Sequence, residues 1–177
     1  MTLLLDVLES LSHILQSCPR TKGARIKRHD RVLDQSRRIF RRLGYQVQVE
    51  LSIPTSAGLR KPDMLIYGED KSTTILDTCI VSDMYDDPNT PHQWKVDKYS
   101  QHEEISTSVE RLAGSTPDFG SICISWRGVF SPASAAHLRR LGMTQADLGL
   151  LSAITVEQGT VIHRLFNDST VTTSLPL

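Results

Sequence analysis

At 177 residues, with 39% hydrophobic and 23% charged side chains, the chain has the size and composition of one globular domain with a short appendage. No apolar run approaches the ~20 residues of a membrane-spanning helix, and the apolar start meets Asp6 and Glu9 without a basic flank, so neither a membrane protein nor a secretory signal is expected. The formal charge is zero, but residues 20–42 carry ten Lys or Arg against Asp30 and Asp34, a local +8 that leaves −8 elsewhere; this suits a basic face for a polyanion and, equally, a merely solvated helix face.

Leu4, Leu8, Leu11, Ile14 and Leu15 recur at helical spacing, which predicts a short amphipathic helix over 3–16, stopped by Pro19. A basic connector, 20–27, leads to a second helix over 28–43 with Val32, Leu33, Ile39, Phe40 and Leu43 on one side and Gly44 as its stop. Residues 45–51 alternate apolar and polar, the mark of a strand with one buried face. A loop over 54–58 precedes two strands, 62–67 and 73–82, joined by a hairpin turn at Gly68 to Ser72. The second is apolar on both faces except at Asp77, which places it inside the sheet.

Thr90, Pro91 and Gln93 form a capping-box pattern for a helix running to about 112. Residues 120–126 read as another buried strand. Ser131 caps a helix ending before Gly142, Thr144 with Asp147 caps a further short one, and 160–166 reads as a last strand before a loose tail. The whole is a mixed α/β sheet flanked by helices. Neither GxGxxG nor a P-loop is present, which counts against dinucleotide and nucleoside-triphosphate binding. Cys18, Cys79 and Cys123 contain no CxxC pair and fit a reducing intracellular setting.

The hairpin carries the chemistry. With its turn centred on Asp70, facing residues have numbers summing to 140, and Asp63 and Asp77 meet that condition. Two carboxylates on opposed positions repel, and a buried carboxylate needs a pair or a metal. A hard cation such as Mg²⁺ takes one or two carboxylates with waters and phosphate oxygens. A register shifted by one would send the two to opposite faces. Lys95, Lys98 and Tyr99 share one helical face and are the candidate cationic partners, although two lysines on a helix are also often just solvated.

In order and spacing, Arg28-His29-Asp30, Ile53-Pro54, Arg60-Lys61-Pro62-Asp63, Asp77, Lys95-Val96-Asp97-Lys98-Tyr99 and Ile124-Ser125-Trp126-Arg127-Gly128-Val129 resemble the restriction-enzyme-like, PD-(D/E)xK endonuclease domain of site-specific, rDNA-inserting non-LTR retrotransposons. The resemblance covers roughly 10–166. It implies a restriction-endonuclease-like mixed central sheet flanked by helices, and an enzyme that nicks target DNA so that the freed 3′ hydroxyl primes reverse transcription. By that resemblance Asp63 and Asp77 hold Mg²⁺ or Mn²⁺. The catalytic lysine moves from position 79, here Cys79, to Lys95 on the next helix, with Lys98 and Tyr99 beside it. The implied partners are double-stranded target DNA, the reverse transcriptase domain of the same polyprotein and, indirectly, the element RNA; the implied location is the nucleus.

His13 and Cys18 resemble the second half of a CCHC zinc knuckle whose two preceding cysteines are missing, so this chain is expected to bind no zinc and to be an excised or truncated piece, divided into a knuckle remnant (1–19), the nuclease (20–166) and a tail (167–177). Within this setting the basic segment reads as a phosphate-contacting face, with Arg28, His29, Lys61 and Arg127 as DNA contacts. Trp94 and Trp126 are expected to pack rather than stack on bases. The competing functions are a junction-selective nuclease resembling Holliday junction resolvases and a binding module without catalysis.

Overall fold

A computed structural model describes residues 10–69, 72–83 and 85–171, with side chains through 169. Helix α1 (Leu11–Gln16) starts at Ser10, whose side chain accepts the His13 N–H; the rest of the helix expected over 3–16 lies outside the described residues. A 3₁₀ turn at Pro19–Thr21 leads directly into α2 (Lys22–Arg42). The basic connector is therefore helical, as long unbranched Lys and Arg side chains favour. Strand β1 (Gln46–Val49) ends where Glu50 turns to φ 59°.

The expected loop over 54–58 is instead a hairpin of β2 (Ile53–Thr55) and β3 (Gly58–Arg60), closed by Gly58 at φ 98°. Strands β4 (Met64–Tyr67) and β5 (Thr73–Val81) follow. The long helix expected to 112 is two, α3 (Thr90–Ser100) and α4 (Glu103–Ala113), separated where His102 adopts an extended conformation. The capping box expected at Thr90 does not form: Asn89 holds the N-cap position without bonding its own helix, and its Oδ1 accepts from Ser131 Oγ and the Ala133 N–H. Strand β6 (Asp118–Ser125) and helix α5 (Pro132–Arg140), capped by Ser131, come next.

The last helix, α6 (Gln145–Val171), has 27 residues and absorbs both the strand expected at 160–166 and the start of the tail. The β-branched run Thr160, Val161, Ile162 looks strand-like locally. Buried Leu148, Leu151, Thr155, Ile162 and Phe166 nevertheless keep the three-and-four spacing of a helix face.

The main sheet has the order β1-β4-β5-β6, antiparallel except for the parallel β5–β6 pair. On one face Met64, Ile66, Leu76, Ile122 and Ile124 pack against Val32 and Phe40 of α2, Leu138 of α5 and Leu151 of α6. On the other, Leu65 and Ile75 meet Tyr99, Ile105 and Val109 of α3 and α4. Ile14, Leu15 and Cys18 pin the N-terminal helix to Ile162 and Phe166. Among the described residues, no helix is long and apolar enough to cross a membrane.

Candidate active site

Strand β4 begins only at Met64, while β5 runs on to Val81, so β5 loses its antiparallel neighbour after Leu76. The ladder pairs Met64 with Leu76 and Leu65 with Ile75, the register whose numbers sum to 140. Carried one residue further, it sets Asp63 opposite Asp77, and the shifted alternative does not occur. The backbone ladder between β4 and β5 ends at Met64. Asp63 instead continues the pairing with its side chain, Oδ2 accepting the Thr78 N–H at 2.6 Å.

Asp77 is 3% exposed on the face covered by α3. Helical spacing aims Lys95 and Lys98 at it: Lys95 Nζ donates to Asp77 Oδ2 at 2.6 Å and Lys98 Nζ lies 3.4 Å from the same oxygen. Tyr99 anchors this face of α3 in the core. Its hydroxyl donates to the Lys61 carbonyl at 3.1 Å and accepts from Lys98 Nζ at 2.8 Å.

The two carboxyls are electrostatically unlike. Burial and the charge of Asp63 push the Asp77 carboxyl above the ordinary value, outweighing Lys95 and Lys98. Burial also acts to raise Asp63, but contacts with His29 and the Thr78 N–H outweigh it and hold the group low. Such a split lets adjoining carboxyls coexist. Burial alone would lower the Lys95 pKa, yet Asp77 raises it overall, so Lys95 is an ammonium at neutral pH. Burial, Asp77 and Asp63 together keep the Tyr99 phenol protonated.

His29 reaches the same place from α2, its Nε2 3.4 Å from Asp63 Oδ2 while Nδ1 lies 3.2 Å from Asp30 Oδ1. The structure therefore brings together Asp63, Asp77, Lys95, Lys98, Tyr99 and His29, with Lys61 joined through its carbonyl and its side chain exposed. Arg28 is different. It is 2% exposed, and Nη2 donates to the Leu15 carbonyl and Gln16 Oε1, so it is an interior cation and not an open phosphate contact. Arg127 sits past the end of β6, paired with Asp83 at 2.8 Å and stacked on Trp126.

Trp126 packs against the Ile14–Leu15 cluster as expected. Trp94 corrects its expectation: it is 58% exposed and meets half-exposed Tyr85 edge-on, because it falls on the outer side of α3 next to inward Lys95. His13 lies on α1 with Nδ1 3.1 Å from Ser17 Oγ, and Cys18 is buried beneath that helix. Cys79 faces Cys123 across the β5–β6 ladder. The Thr78 N–H left no signal in the sequence, because a backbone group is the same at every position.

Asp63 and Asp77 are the groups able to hold a cation. Among the described residues no three His, Cys, Asp or Glu side chains converge on a metal position, so the protein offers a carboxylate pair. That donor set fits Mg²⁺, which keeps several waters and takes only one or two carboxylates; it does not fit a closed four-ligand structural zinc site.

No family model matches the chain. It is 34% identical over 142 residues to the Retrovirus-related Pol polyprotein from type-1 retrotransposable element R2 of Nasonia vitripennis, covering 79% of this chain and 14% of that protein. Over 158 residues it is 30% identical to the Pol polyprotein from type-2 retrotransposable element R2DM of Drosophila melanogaster, covering 88% of this chain and 15% of the relative. A Pol polyprotein from the R2 element of Popillia japonica is 30% identical over 168 residues, 93% of this chain and 34% of that protein. The chain thus spans between about a seventh and a third of the length of these curated relatives.

Proposed function

The chain is homologous to part of the Pol polyproteins of R2 retrotransposable elements, and we propose that this part is a Mg²⁺-dependent DNA endonuclease of the restriction-enzyme-like kind. The observation that carries the reading is the juxtaposition of Asp63 and Asp77 at the open edge of β5, with the Lys95 ammonium 2.6 Å from Asp77.

Each residue has a physical task in such a site. Asp63 is fixed by the Thr78 N–H and His29, so its free lone pairs are oriented before any ligand arrives. Lys95 offsets the buried charge of Asp77 and presents an ammonium where negative charge grows on a phosphodiester in transit. Tyr99, neutral and buried, locks Lys98 and the Lys61 carbonyl, which sets the approach of the Pro62-Asp63 segment. A divalent cation held by Asp63 and Asp77, Mg²⁺ or Mn²⁺, would supply Lewis acidity toward the phosphate and lower the pKa of the attacking water.

In this reading the enzyme nicks double-stranded target DNA in the nucleus, and the 3′ hydroxyl primes reverse transcription by the polymerase part of the same polyprotein on the element RNA. A plasmid nicking assay with and without Mg²⁺ tests it. Wild-type chain should nick only with the cation, and Asp63→Asn or Asp77→Asn should abolish the activity. Nicking that survives both changes overturns the assignment. Strong preference for four-way junctions redirects it to a resolvase-like substrate, and no nicking with no Mn²⁺ binding leaves a binding module.

A further inference from the structure

Next to the acid pair, on the α2 side, lies a cleft of about 410 Å³ walled by Gln16, Lys22, Arg25, Ile26, Arg28 and His29 and floored by Ile80. Lys22, Arg25 and Arg28 give it three cationic side chains, and among the described residues none of its walls is a carboxylate. Of these wall residues, His29 is the one that meets Asp63 and Asp30, one on either side of its ring. Arg28 is 2% exposed, and its Nε and Nη1 have no hydrogen-bond partner. Arg25 donates Nη1 and Nη2 to the carbonyls of Gln16 and Cys18, and its Nε likewise has no partner. Among the described residues the guanidinium groups are therefore held by neutral carbonyls and an amide oxygen alone, beside each other and without a counter-charge. A buried charge is costly unless paired, and an arginine fork matches phosphate oxygens.

The location adds a second constraint. Ile80 follows Asp77 by three residues along β5, about 10 Å of backbone at the ~3.3 Å rise of a strand, and points to the opposite, α2 face, so the cleft and Asp77 meet around the edge that β4 leaves open. His29 spans the gap, lining the cleft while its Nε2 faces Asp63. We propose that this cleft seats a backbone phosphate of the bound DNA strand, a few nucleotides at most from the one being cut. The assignment rests on the nuclease reading above and deepens it, giving the enzyme an anion subsite that registers the strand against Asp63 and Asp77. Lys22 and Arg25 make the rim, and Arg28 contributes charge from beneath.

The alternative is that Arg25 and Arg28 only staple α1 to α2, in which case the rim is indifferent to anions. Two variants separate these without touching the staple: Lys22→Ala, at an exposed position, and Ile26→Glu, at a side chain 51% exposed that lines the cleft. Fluorescence anisotropy with a short duplex, in EDTA and across a salt series, measures binding apart from cleavage. Calorimetry with inorganic pyrophosphate in the same buffer probes a free anion. In the expected result Lys22→Ala reduces the slope of log affinity against log salt by about 0.9, and Ile26→Glu weakens both ligands.

Unchanged slope and affinity in Lys22→Ala and Ile26→Glu overturns the proposal. Loss of pyrophosphate binding with duplex affinity intact also overturns it, because the cleft then takes a free anion and not the DNA backbone. A wild type that fails to nick while these variants still lose duplex affinity would remove the nuclease reading and leave the phosphate seat standing.

Discussion

Asp63 Oδ2 accepts the Thr78 N–H at 2.6 Å, so the carboxylate continues with its side chain the ladder that β4 starts only at Met64. This gives Asp63 a structural task as well as a chemical one, and the two are separable. Asn at this position keeps an acceptor for Thr78, whereas Ala leaves the N–H without one, at a cost of about 1–3 kcal/mol. Asp63→Asn should therefore give up only the contact with charged His29 in urea unfolding, while losing nicking and Mn²⁺ affinity. Asp63→Ala should lose stability as well. Equal stability of the two variants would show that the Thr78 bond does not support the strand end.

Lys95 and Asp77 form the more buried pair, with side chains 27% and 4% exposed. Lys95→Ala leaves Asp77 facing Lys98 at 3.4 Å. Loss of a preorganised charge from such a site lowers turnover by about 10²–10³-fold, read in single-turnover nicking. The double change Lys95→Met with Asp77→Asn should recover stability lost in Lys95→Ala, since removing both charges avoids stranding one, yet remain inactive. A double variant no more stable than Lys95→Ala would mean that the pair is not under desolvation strain.

The acid pair was legible because hairpin register is an arithmetic property: Gly68 to Ser72 marks the turn, and the pairing of Met64 with Leu76 follows from its centre. The helix lysines were legible because spacings of three and four share a face. What escaped was set by tertiary context. Residues 160–162 are β-branched and strand-like in isolation, yet Leu148, Leu151 and Phe166 extend the same buried stripe and hold them in α6. Arg28 looked like surface charge because a basic run gives no sign of which member α1 covers. Nor can spacing alone tell that Trp94 turns outward while Lys95 turns in.

The start of α6 offers a test of local sequence chemistry. Thr144 Oγ1 accepts the Asp147 N–H at 3.2 Å, and Asp147 Oδ2 accepts the Thr144 N–H at 2.9 Å, a reciprocal capping box. Arg42 of α2 reaches Asp147 Oδ1 at 2.6 Å and ties this end to the basic helix. Thr144→Ala should cost about 1 kcal/mol, measured by urea unfolding. Asp147→Ala should cost more, because it removes the Arg42 contact along with the cap. Identical losses would show that the Arg42 bond adds nothing.

Stability in metal-free buffer should peak near neutrality and fall on both sides, through different histidines. His92 and His137 sit against β6, His92 Nδ1 2.8 Å from Ser121 Oγ and His137 Nε2 3.5 Å from Asp118. Burial lowers both pKa values, with His137 and Arg140 adding to the shift at His92; at His137, Asp118 opposes burial only in part. Below the unfolded value of about 6.5 the unfolded chain takes up these protons more readily, so stability present above that pH is lost as pH falls. His29 behaves oppositely. The hydrogen bond it donates to Asp63 lifts it to about 9, against burial and aided by Asp30, so its contribution is full below about 6.5 and is lost as pH rises through about 9. Urea midpoints across this range should give a dome. His29→Gln should flatten the alkaline limb alone, and His137→Gln should flatten the acid limb; a profile unchanged by either substitution would place the titration elsewhere in the fold.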